Sequence, residues 1–287
     1  MSEGVAFVAE ALAKVAVYVA TLAAIGVAGA RWLARLAGPA AVPDALCIDK
    51  ALRHRAWLAA ALILGALCLR ASTHAFATFG TVDWTALRTV SLESRWGHAW
   101  QYQLGGAALL GFSAASLRDG RRWSWLLYSA SALIVCTTLP LLGHAAGSGG
   151  RVVVHSIHIA AGGLWLGTLG IVLSMEPTLR RLNPLLLARW ISRFASFALP
   201  GAAVLAATGA IAATLYLHDV VHLVDTAYGR RLILKLVFVV AVVVCGWFNW
   251  RQSRRGAPPR RGLIALELSC AFLTVMATGF LTESEHP

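Results

Sequence analysis

Nine histidines punctuate this chain, and two of them, His155 and His158, stand three residues apart at the start of an apolar run. On a helix that spacing sets both rings on one face, close enough to share a ligand. His144, in Gly143-His144-Ala145, ends the preceding apolar run only a short turn away. Three imidazoles at one place are a candidate metal site, since imidazole suits copper, zinc, iron and nickel. The plainer reading is three rings hydrogen-bonded separately at a wet surface. A second group is His218-Asp219 with His222 and Asp225. Its carboxylates could orient imidazoles from behind, as commonly happens in metal sites, but a solvated polar loop is the plainer and favoured reading. His74, His98 and Glu10 are further candidates for a secondary metal site or a relay. His286, in the tail, reads as incidental.

The elements that must carry these residues follow from hydropathy. The 287 residues are 58% apolar and only 13% charged, about half the charge of an ordinary soluble domain. Runs such as Trp123 to Ala146 contain no Lys, Arg, Asp or Glu. A run of about 20 apolar residues crosses the hydrocarbon core as a helix. The pattern predicts an all-α polytopic membrane bundle, a single transmembrane domain with helices at about 5–29, 56–76, 99–117, 123–143, 152–174, 190–216, 230–250 and 262–282. The connection at 30–55, with Pro39 and Pro43, and that at 77–98 are the long ones. Met1-Ser2-Glu3-Gly4 has no basic n-region, so the first apolar run reads as a retained helix rather than a cleaved signal.

Charge orients the bundle. The connections 1–2, 3–4, 5–6 and 7–8 hold 17 of the 25 Lys and Arg, and the opposite side holds 6. The positive-inside rule then predicts both termini on the periplasmic side. The net charge of +12 is accounted for by these loops, so no nucleic-acid partner is expected; the surrounding partner is the lipid bilayer. On this topology eight histidines map to the outer side and only His54 to the inner one. The five cysteines lack a C-x-x-C spacing, and four lie in apolar runs, where a free thiol behaves as a small hydrophobe.

Ionisable residues inside apolar runs mark function more often than surface charge does. Glu10 and Lys14 stand four apart and could neutralise one another; Lys235 and Glu267 each lie about one turn inside a run. Trp32, Trp57, Trp123, Trp125 and Trp190 read as interfacial anchors. Trp165 lies deeper, among Gly162, Gly163 and Gly167, where small residues permit close helix packing. Ser94-Arg95-Trp96-Gly97 and Thr226-Ala227-Tyr228-Gly229 open equivalent helices, an echo compatible with a 4+4 parallel repeat. No nucleophile motif or general-base pair stands out, so an enzyme is not expected.

Several of these segments together resemble the copper resistance protein D (CopD) family. HSIHIAAGGLWLGTL (155–169) resembles its His-to-Trp-Leu-Gly helix, and RFASFALPGAAVLAATG (193–209) its Arg-Phe to Thr-Gly helix. TAYGRRLILK (226–235), followed by Asn249, resembles its Thr-x-Tyr-Gly segment, and SRWGHAW (94–100), GHA (143–145) and Glu267 fit as well. Ser94, Gln103 and Thr168 depart from the family pattern. The resemblance spans about helices 3–8. It implies an inner-membrane protein of copper homeostasis or resistance that binds copper ions and moves them across the membrane. It also implies a small periplasmic copper-binding partner of the CopC type. His158 and Trp165 correspond to the family's His and Trp, and His144 to its Gly-His-Ala histidine; Tyr228 and Gly229 belong to its packing near the site. The expected metal ligands are thus His144, His155 and His158, with neutral imidazole required for binding. The alternative is a membrane b-type cytochrome whose histidines ligate haem in bis-His fashion for electron transfer. It would draw a pair from His74, His98, His144 and His158.

Overall fold

The computed structural model describes residues 3–36, 42–118, 121–143, 147–216, 222–255 and 261–283, all helical or in short connections, with no strand among them. Helices α1 (Glu3–Leu36) and α2 (Val42–Phe79) have 34 and 38 residues. At 1.5 Å per residue both exceed the roughly 30 Å hydrocarbon core. The expected 30–55 connection is therefore mostly helix. Pro43 sits in the first turn of α2, where its missing N–H costs no hydrogen bond, and Asp44 follows it to favour the helix start. An Arg31–Asp49 ion pair at 2.6 Å ties the end of α1 to α2.

The 77–98 connection contains α3 (Trp84–Arg88), capped by the Asp83 carboxylate accepting from the Ala86 N–H at 2.8 Å, and a π-helical turn over Thr89–Glu93. Next come α4 (Arg95–Ala115) and α5 (Arg122–Thr138), the latter ending in a 3₁₀ turn at Leu139–Leu142. Helix α6 (Gly149–Gly162) runs through a π turn, Gly163–Gly167, into α7 (Thr168–Ser174), making one apolar rod. The chain closes with α8 (Glu176–Leu182), α9 (Pro184–Tyr216), α10 (His222–Asp225), α11 (Ala227–Arg254) and α12 (Arg261–Thr282).

Among the described residues seven helices are long and apolar enough to cross a membrane, against about eight predicted. The predicted span outside these seven is α4, whose polar side chains lower its hydropathy. Those side chains bond within the protein: Gln103 Nε2 donates to the Thr138 carbonyl (3.1 Å), Gln101 Nε2 to Ser91 (2.8 Å) and Trp100 Nε1 to Leu67 (3.0 Å).

Helix α1 is the centre of the bundle and packs against α2, α5, α7 and α12. Its apolar window is 61% buried, against 6% for that of α9. The bare apolar faces of α9, α11 and α12 suit contact with lipid, where hydrocarbon rather than water is the solvent. Helix α1 crosses the α6–α7 rod where glycines meet: a methyl on Gly167 would strike the Leu22 carbonyl, and one on Gly26 the Gly167 backbone. Only small residues allow that approach. Trp32, Trp57 and Trp123 are exposed as interfacial anchors should be, but Trp125 and Trp190 are buried core residues. Cys136 and Cys245 are buried, and none of the five thiols is in a disulfide.

The two ends of the bundle differ. At one, Phe7 of α1 meets Phe280 of α12, and the Arg231 guanidinium lies 4.8 Å over the Phe7 ring. The first turns of α1 and the last of α12 thus share an end. At the other, Arg55 Nε donates to Ser174 Oγ (2.7 Å), and Glu176 binds both Arg180 and Arg261.

Candidate functional site

His155 and His158 lie on α6, and both are half-buried. The His158 ring meets α9, with Nδ1 3.0 Å from Thr208 Oγ1. That hydroxyl already donates its only proton to the Val204 carbonyl at 2.7 Å, so toward the ring it accepts. The Leu205 carbonyl, 3.2 Å from the same hydroxyl, is a second acceptor for the imidazole. His158 therefore carries its proton on Nδ1 and leaves the Nε2 lone pair for a ligand, the arrangement that a hydrogen bond to a metal-binding histidine normally enforces. Gly209 makes the approach possible, since a Cβ there would come within 3.3 Å of His158 Cε1. Lys235 of α11 acts electrostatically on both imidazoles. Its positive charge raises the cost of a cation here in proportion to the cation's charge.

Seven residues below His158, on the same helical face, is Trp165. It is 7% exposed and sits in the π turn, a helix irregularity common at functional sites. Its Cζ2 and the Glu267 carboxylate both press on Gly246, within 3.5 and 3.3 Å of where a Cβ would stand. Glu267 is 3% exposed, and its Oε2 accepts from Asn249 Nδ2 at 2.6 Å. A carboxylate and an amide thus meet where α11 packs on α12, and the Trp165 indole reaches them at Gly246.

A third group occupies the end where α1 and α12 meet. Glu10 Oε1 is 2.7 Å from His74 Nδ1, and the His74 ring stacks on Trp96 with centroids 4.2 Å apart. Glu10 and Lys14 do not pair as expected. Lys14 instead binds Glu283 at 2.7 Å and donates to the Thr282 carbonyl, with Arg70 3.7 Å from the same carboxylate. Lys14 and Arg70 are both buried, which makes Glu283 their common counter-charge.

The structure thus places His74 with Glu10, and His158 with Thr208 beside His155, as separate groups. His98 is exposed on α4. His144 and His218 lie outside the described residues, as does the His222 side chain at the start of α10. Among the described residues no three His, Cys, Asp or Glu side chains are gathered as a metal site. Tyr228 is buried, and the Gly229 N–H donates to Thr226 Oγ1 at 2.9 Å. At the other copy of the echo the Gly97 N–H donates to Ser94 Oγ at 2.8 Å. Each hydroxyl residue is a helix N-cap, which explains why it stands three before its glycine. The sequence reading gave no role to Thr208, although Thr208-Gly209 closes one of the quoted segments. A lone Thr in an apolar helix carries no mark of the ring it meets 50 residues away.

Residues 5–154 match the copper resistance protein D-like N-terminal domain, and residues 188–281 match copper resistance protein D. The chain belongs to the copper resistance protein D family. It is a copper-resistance-related, multi-pass membrane protein. No curated protein matches the chain. The two copper resistance protein D matches bracket residues 155–187, and the stretch between them carries His155, His158 and Trp165. Glu10, His74, His98 and His144 lie in the N-terminal match, and Thr208, His218, His222, Tyr228, Gly229 and Glu267 in the C-terminal one.

Proposed function

We propose that this protein takes up copper across the bacterial inner membrane, with copper ions as its cargo. The observation that carries the reading is the Thr208 hydroxyl fixing His158 with a free Nε2 beside His155. His155 and His158 are the first ligands, joined by His144 from the segment before α6. Copper reaches them from the periplasm, delivered by a soluble copper-binding protein of the CopC type. Both termini face that side, α4 is the eighth crossing, and the protein catalyses no chemical conversion. The Lys235 charge favours a monovalent cuprous ion over a divalent one. Inward passage follows the face of α6 from His158 to Trp165, about 10 Å deeper at 1.5 Å per residue, and then meets the Glu267–Asn249 pair. No contact among the described residues favours the haem alternative.

The test compares purified, copper-supplied parent with a His144→Ala/His158→Ala variant, by metal analysis and optical spectrum, together with copper uptake into vesicles. Copper retained and transported by the parent, lost in the variant, with no Soret band, supports the reading. Uptake unchanged in the double variant rejects the ligand assignment. A strong Soret band without copper rejects the copper site in favour of haem.

A further inference from the structure

A cavity of about 290 Å³ opens between α1 and α5 at the end of the bundle where Arg31 pairs with Asp49. Its mouth holds Arg31, Arg35 and Arg122; its wall is apolar, with Ile25, Leu126 and Leu133 among its lining. Arg31 is half-committed: one terminal nitrogen binds Asp49, the guanidinium lies 5.3 Å over the Trp125 ring, and its buried Nε has no hydrogen-bond partner among the described residues. Arg35 is close enough to repel Arg31, and neither Arg35 nor Arg122 forms an ion pair among the described residues. The mouth therefore carries more positive charge than Asp49 neutralises.

The dimensions identify what fits. From Arg35 up to Ile25 is ten residues of helix, and from Arg122 to Leu133 is eleven. At 1.5 Å per residue both walls run about 15 Å, the depth of one leaflet of a roughly 30 Å core. Exposed Trp32 lines the groove, and exposed Trp123 follows Arg122 in the chain; tryptophan is the residue type that marks the headgroup level. A cationic mouth at headgroup depth above a leaflet-long apolar wall matches an anionic amphiphile with its phosphate outward and its chain along the wall.

We propose that this groove is a binding site for an anionic phospholipid, held by Arg35 and Arg122, with its acyl chain between α1 and α5. Basic pockets between membrane helices recognise acidic headgroups by this combination of charge and hydrocarbon contact. The site lies in the leaflet opposite the histidine end and is independent of copper. Its occupant would brace α1, the central helix, against α5.

Native mass spectrometry of the full chain released from nanodiscs of phosphatidylglycerol or of phosphatidylcholine tests this. Two variants accompany it: Arg35→Gln/Arg122→Gln removes charge, and Ser129→Phe fills the apolar wall. Ser129 bonds only to its own helix, at the Trp125 carbonyl. Retained phosphatidylglycerol, little phosphatidylcholine, about thirtyfold weaker retention in the charge variant at roughly a fivefold factor per arginine, and loss on filling would support the site. Circular dichroism checks that each variant keeps its helices. Equal retention of the two lipids, or undiminished retention in either folded variant, overturns it. Displacement of the lipid by millimolar inorganic phosphate also overturns it, because the site would then read a free anion and not a lipid.

Discussion

Replacing Thr208 by valine removes one hydroxyl and almost nothing else: the side chains are near-isosteric, and both are β-branched, so the helix is not disturbed. The lost group is the acceptor 3.0 Å from His158 Nδ1, at a residue only 8% exposed, where no bulk water replaces it. Groups that orient a metal-binding histidine are worth about 10–100-fold in metal affinity. Here the lower figure applies, because the Leu205 carbonyl, 3.2 Å from the lost hydroxyl, stays behind as an acceptor. The expected cost is about tenfold in copper affinity, or ~1.4 kcal/mol. Competition with a coloured chelator on detergent-solubilised protein measures it. Thr208→Ser, which keeps the hydroxyl, should restore most of the affinity, whereas His158→Ala should lose more than Thr208→Val. Affinity within twofold of the parent for Thr208→Val, or a serine variant as weak as the valine one, would refute the claim that this hydroxyl sets the ring.

Three further changes test other parts of the bundle. Gly167→Ala drives a methyl into the Leu22 carbonyl where α1 crosses the α6–α7 rod. It should destabilise by about 1–3 kcal/mol, as overpacking does, and lower the melting temperature in detergent, while Gly111→Ala, in open space inside α4, should not lower it and should raise it slightly, as replacing a helix-interior glycine does. Glu283→Gln strips the shared counter-charge from buried Lys14 and Arg70 and should cost up to ~3 kcal/mol, the lower range for breaking a buried pair. Adding Lys14→Met should recover part of that loss in thermal unfolding; no recovery would mean that the two cations do not oppose each other. Lys235→Gln removes the charge that opposes a cation at His155 and His158. Isothermal titration should show copper binding several-fold tighter, with a larger gain for a divalent ion, since Coulomb energy scales with ionic charge; equal or weaker binding would place Lys235 outside the site's field.

The crossings were legible because hydrocarbon solvent imposes a rule on every residue in turn, and a run of apolar residues satisfies it without help from elsewhere. The same local rule placed a span at 99–117 but could not show what satisfies its polar side chains: Gln103 donates to the Thr138 carbonyl on α5, 35 residues away. It also stopped α2 short, because the polar turns from Val42 onward are helical through packing at the basic end and not through hydropathy. Trp125 and Trp190 show a further limit. An indole at a helix end suits an interface or a core equally well by composition, and only the neighbouring helices put these two inside.

What the sequence by itself determined is the solvent, the α-helical class, the H-x-x-H face of α6 and, through its combined motifs, the family. These are properties of single helices or of residue order. What only the tertiary structure decided is which polar groups meet. Glu10 pairs with His74 on α2 and not with Lys14 one turn away, and Lys14 is claimed by Glu283 at the far end of the chain. His158 takes its tautomer from Thr208, and Trp165 and Glu267 converge on Gly246. Helical spacing offers each buried charge a neighbour on its own helix, but desolvation makes it bond to whichever group the packed bundle brings within reach.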